Sequence, residues 1–143
     1  MTSPAKSRLR WLVTLAVLAH LVVVLIHGRA HTDLGVGLAN WQQLYVMVII
    51  LLAPLIALAL SWTRLAKAGV WLLLISMLAS LVFGAVYHYI IISNDHVSPL
   101  PPGEARGVFR ITALLLLITE TAGVAVAAVG IRRLVNSVNR DNV

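Results

Sequence analysis

Four apolar stretches, each about 18 residues or longer, occupy most of this 143-residue chain: 9–28, 40–61, 68–92 and 108–134. At about 1.5 Å of rise per residue, a helix of that length crosses a hydrocarbon layer about 30 Å thick. Inside such a layer, an open chain can satisfy its own peptide groups only as a helix. The expected fold is therefore all-α: an integral membrane four-helix transmembrane bundle, up-down-up-down, forming a single domain over 1–143. Only 11% of the residues are charged, too few to coat a soluble domain of this size.

The charges that are present set an expected orientation. Lys6, Arg8 and Arg10 precede the first stretch, Arg64 and Lys67 separate the second from the third, and Arg132, Arg133 and Arg140 follow the fourth. Only Arg29, Arg106 and Arg110 fall on the other side. The positive-inside rule then puts both termini in the cytoplasm of a multi-pass protein of the cell (plasma or inner) membrane. The net charge of +6 reads as orientation signal and headgroup contact, with the lipid bilayer rather than nucleic acid as partner. The chain has no cysteine, which excludes disulfides and thiolate metal ligands. Basic residues ahead of an apolar run also begin a signal peptide. This run is long for one and lacks a small-x-small site, so a retained helix is expected.

Local signals refine the elements. The first helix is expected to end near Gly28, leaving His31, Asp33, Gly35 and Gly37 in a loop over 29–39. Trp41, Tyr45, Trp62 and Trp71 sit where interfacial aromatics belong. Pro54 predicts a kink, since it has no N–H and crowds the carbonyl of Ile50. Ser76, Ser80, Gly84 and His88 recur every four residues, and Gly123, Ala127 and Gly130 form a second small-residue row. Both rows are expected packing seams. Residues 1–8 and the last nine read as polar tails.

The chemistry concentrates in histidine. His20, His27 and His31 share one stripe of the first helix with Val13, Ala16 and Val24, because residues seven apart fall within roughly 20° of each other. Depth divides that stripe. His20 lies about 12 Å below the helix end, near the level expected for Glu120 in the fourth helix. His27, His31, His88 and His96 belong to the outer mouth. The inner half offers little beyond Leu, Val, Ala and Ser.

Several readings follow. His27 and His88, with His31, His96 or Asp95, can ligate a transition metal, and imidazole with carboxylate suits Cu, Zn or Fe. A b-type haem can be bound between the first and third helices, with His20 or His27 facing His88. His20 and Glu120 can act as a catalytic proton relay, because an intramembrane carboxyl is costly unless it is used. Asp33, Asp95 and Glu104 read as solvated loop acids, and Arg106 and Arg110 as snorkelling cations. No phosphate loop, nucleophile elbow or HExxH helix is present. The leading expectation is a small membrane protein with a His/Glu-lined site in its outer half, binding a metal or haem for redox or metal handling. Its alternatives are an accessory subunit packing on partner membrane subunits, and a homodimeric proton-coupled carrier using Glu120.

Overall fold

The computed structural model describes the backbone of residues 4–141 and the side chains of residues 7–133. Among them there is no strand. The helices are α1 (Pro4–Leu34), α2 (Asn40–Ser61), α3 (Ala66–Ile90) and α4 (Ala105–Asp141). All four contain segments long and apolar enough to span a membrane. The expected polar tails fall partly outside the described residues; where described, at 4–8 and 135–141, their backbone is helical.

Each helix packs on its chain neighbours, and α1 also lies along α4, closing a ring of four. On α1 the buried positions are Val13, Val17, His20, Val24, His27, Ala30 and Leu34, one stripe at spacings of three and four. The opposite side stays apolar although exposed, with Leu15, Leu18, Val22 and Leu25 facing outward. Apolar residues on both faces suit a helix whose surroundings are lipid.

Both expected small-residue seams are buried. A Cβ on Gly123 would stand 2.8 Å from Met77 Cγ, and one on Gly130 would stand 2.9 Å from Val70 Cγ1. An equally tight approach, this one onto backbone, is one that helical periodicity does not announce. At Gly69 a Cβ would meet the Ala57 carbonyl at 2.8 Å and the Ser61 amide at 2.9 Å. There α3 lies directly on the backbone of α2.

The first helix does not stop at Gly28. It continues to Leu34 and ends on Gly35, the described non-terminal residue with a left-handed backbone (φ +64°). The Val36 amide donates to the His31 carbonyl at 3.0 Å, and the Gly35 amide donates to that of Thr32 at 3.2 Å. That pair of bonds is a Schellman motif, which needs an αL residue after the C-cap. Gly28 is a weak helix former, but tertiary packing carries the helix through it. His31 is thereby a helical residue, one turn above His27.

In α2 the segment Val46–Leu52 is wound as a π-helix just ahead of Pro54. In the α-helical register, Pro54 has no N–H to offer the Ile50 carbonyl. That carbonyl instead accepts from His20 Nε2 of α1 at 3.2 Å. A neighbouring helix thus satisfies the carbonyl that Pro54 leaves. A second π turn, Val86–Ile90, ends α3 and carries His88.

The connection at 91–104 is tied down rather than free. The Val97 amide donates to the His88 carbonyl at 3.1 Å. Leu100 is buried in a cluster with Ala30, Leu34, Val36 and Phe109. Arg110 Nε donates to the Val97 carbonyl at 2.8 Å, and Arg106 Nη2 to that of Ser98 at 3.3 Å. The two arginines expected at the headgroups therefore hold this loop in place.

Candidate metal centre

The anchored loop brings Asp95 down onto the histidines. The reading of Asp95 as a solvated acid does not hold, since only 4% of the residue is exposed. His31 Nε2 lies 3.0 Å from Asp95 Oδ1 and 3.2 Å from His27 Nε2. The three ligand atoms of His27, His31 and Asp95 all lie within 4.8 Å of one another. The group can hold a metal ion.

The protons can be assigned from the partners. His31 Nδ1 faces the Val36 carbonyl at 3.1 Å; a carbonyl only accepts, so Nδ1 carries the proton. His27 Nδ1 is 2.8 Å from Thr112 Oγ1, whose own hydrogen goes to the Val108 carbonyl at 2.7 Å. His27 Nδ1 therefore donates as well. When the rings are neutral, both Nε2 atoms then present lone pairs beside the Asp95 carboxylate. A proton on His31 Nε2 makes its 3.0 Å contact with Asp95 Oδ1 an ion pair; a metal ion in its place would draw on all three groups.

Two ligands about 2.0–2.1 Å from a tetrahedral Zn²⁺ stand about 3.3 Å apart; two of the three pairs here stand at 3.0 and 3.2 Å, and all three lie within 4.8 Å. Each imidazole is oriented by a protein oxygen on its other nitrogen, the arrangement that fixes the tautomer of metal-binding histidines.

His88 stands behind this group. Its Nδ1 donates to the Asp95 carbonyl at 2.9 Å and lies 3.3 Å from Asp95 Oδ1. The ring orients Asp95 and is not one of the three converging ligands. Burial alone would raise the Asp95 carboxyl pKa, but the His31 and His88 imidazoles outweigh it and hold the group well below the usual carboxylate range. Phe109, fully buried, closes one side, with its ring 4.6 Å from that of His27 and 4.8 Å from that of His31.

The remaining expected site residues fall elsewhere. His96 is in the loop, where its Nδ1 accepts from the Ser98 amide at 3.1 Å. His20 does not meet Glu120. Its Nε2 is used on Ile50, and its Nδ1 is 3.4 Å from Thr119 Oγ1. The rings of His27 and His88 touch edge to face, with centroids 4.8 Å apart.

Asp95, Phe109 and Thr112 are the residues that sequence reasoning undervalued. A signal for Asp95 was present in Val97 and Leu100, two apolar residues that pin an otherwise polar loop. Comparison with protein-family models, with curated proteins and with solved structures finds no match.

A substitution separates His20 from this group. His20→Ala removes the donor to Ile50 and should cost about 1–3 kcal/mol of stability. It should leave metal binding unchanged, since His20 touches none of the three ligands. Thermal unfolding and metal titration of the purified variant check both parts.

Proposed function

We propose that this chain is a four-span membrane protein of the cell membrane that binds one divalent transition-metal ion through His27, His31 and Asp95. The observation that carries the reading is the convergence of His27, His31 and Asp95, whose ligand atoms all lie within 4.8 Å of one another. Two imidazoles and a carboxylate suit Zn²⁺, Cu²⁺ or Fe²⁺. Three protein ligands leave a coordination position for a further group, as in sites where a metal acts on something else.

That position is approached from a cavity of about 470 Å³, lined by His27, His31, His88 and Asp95 and reaching down to Glu120. The basic residues near the termini and in the 62–65 connection support an orientation with both ends in the cytoplasm and the helices running up-down-up-down. The ion is then held on the outer side, under the 91–104 loop. The chain acts as one domain, with metal handling at that face as its function.

The test is direct. Protein purified in detergent is stripped with a chelator and titrated with Zn²⁺, Cu²⁺ and, without oxygen, Fe²⁺, and bound metal is measured by elemental analysis. About one ion per chain is expected. Co²⁺ in its place should give the strong visible bands of a four-coordinate site. Occupancy should fall as the pH is lowered, because protons compete with the metal for the ligand atoms. A wild-type protein that retains none of the three ions at micromolar concentration would rule the reading out.

A further inference from the structure

The deep end of the same cavity holds a group that the metal centre does not use. Glu120 is only 1% exposed, and its Oε2 has no hydrogen-bond partner among the described residues. Oε2 faces Gly84, 3.6 Å from where a Cβ would stand there. Leu117 Cδ2 and His88 Cδ2 lie 3.7 and 3.9 Å from the same point. Around it Val24, Ile50, Phe83 and Leu116 form apolar walls. Among the described residues no lysine or arginine pairs with it, and His20 is occupied by Ile50 and Thr119. A buried carboxyl without a donor is unfavourable, and a ligand that supplies one is bound accordingly.

The chamber also has an entrance. Towards its 91–104 loop end, α1 separates from α2: it packs along Ala53–Ser61 and has only sparse contact with the Asn40–Leu52 part. The cavity reaches the surface in that gap, where its exposed lining includes Leu25, Arg29, Thr32 and Gln43. A rim that is apolar below and polar above admits molecules that partition at a membrane interface.

We propose that this deep chamber binds a lipid-soluble primary amine, with its nitrogen on the Glu120 carboxyl and its apolar body among Val24, Ile50 and Phe83. The amine fits either form of the carboxyl. As a free base it takes the proton of the neutral acid; as an ammonium it donates to the carboxylate. Both routes end in the same ammonium–carboxylate pair. Phe83, stacked on Tyr45 with ring centroids 4.7 Å apart, adds an aromatic face of the kind that attracts ammonium groups. An alcohol of the same shape donates one hydrogen bond without charge, and a carboxylate would be repelled. The volume suits a molecule of about a dozen heavy atoms. The proposal does not depend on an ion at the histidines.

The experiment uses metal-free wild-type protein in nanodiscs, with empty nanodiscs subtracted, titrated with 4-phenylbutylamine, 4-phenylbutanol and 4-phenylbutyrate. The amine should bind at least tenfold more tightly than the alcohol, and the carboxylate should not bind. Glu120→Gln should bring the amine to within threefold of the alcohol, with circular dichroism showing retained helix. Ile50→Trp, which fills the chamber, should abolish binding of both. Equal binding of amine and alcohol by the wild type, no amine binding at millimolar concentration, or an amine preference that survives Glu120→Gln would each overturn the proposal. Should Glu120→Gln fail to fold, the wild-type ratio of amine to alcohol decides alone.

Discussion

Asp95→Asn is expected to weaken Zn²⁺ binding by at least a hundredfold while leaving the helices intact. Asparagine is nearly the same shape, and the main-chain oxygen at position 95 still accepts from His88 Nδ1, a bond of 2.9 Å. The loop stays anchored through Val97, Leu100 and Arg110. What is lost is the anionic ligand, the one charged member of the three. A hundredfold is about 2.8 kcal/mol at 1.4 kcal/mol per decade, within reach of one charged ligand at a buried site. His88→Ala should cost less, about ten- to a hundredfold, the range for a residue that orients a ligand. His96→Ala should cost nothing, because its ring faces the Ser98 amide. Competition with a zinc-binding dye ranks the three. Wild-type affinity in Asp95→Asn would reduce the His31–Asp95 contact to an ion pair within the fold.

Gly69→Ala and Gly28→Ala should move stability in opposite directions, although both replace a helical glycine. Alanine in place of glycine favours a helix by about 1 kcal/mol. At Gly28 nothing lies within 4 Å of the new Cβ, so that gain should appear nearly whole. At Gly69 the new atom meets backbone at 2.8 and 2.9 Å, and backbone cannot rotate away as a side chain can. Forcing α2 and α3 apart costs about 1–3 kcal/mol, which outweighs the gain. It also loosens the contacts of Ala57, Val70 and Leu73 in the core. Gly69→Leu, with far more bulk at the same point, should prevent stable folding. Unfolding in a graded series of denaturing detergent measures all three. A Gly69→Ala protein as stable as the wild type would show that the α2–α3 approach is looser than described.

The residues divide by how far their roles depend on distant parts of the chain. The row from Ser76 to His88 and the stripe on α1 were legible because helical periodicity is local: every third or fourth residue faces the same way whatever lies opposite. The end of α1 was misplaced because two glycines competed for it. Gly28 has the propensity to end a helix, but the left-handed turn forms at Gly35, where Val36 packs into the Ala30–Leu34–Phe109 cluster. That difference of seven residues carried His31 from a loop onto the helix. Asp95 was misjudged for a related reason. Polarity describes a loop's composition, whereas its position depends on what its few apolar residues find to pack against.

The sequence by itself determined that the chain is four membrane-length helices and that its imidazoles gather towards one end. Length and apolarity decide the first, through the need to satisfy the backbone without water. Rise per residue decides the second. Only the tertiary structure decided which of those groups meet. His31, His27 and Asp95 converge because α1 runs past Gly28 and the 91–104 loop folds inward. His20 turns instead to the carbonyl that Pro54 leaves without an amide, and Glu120 faces an open chamber. Those outcomes rest on packing between elements distant in the chain, which no local pattern encodes.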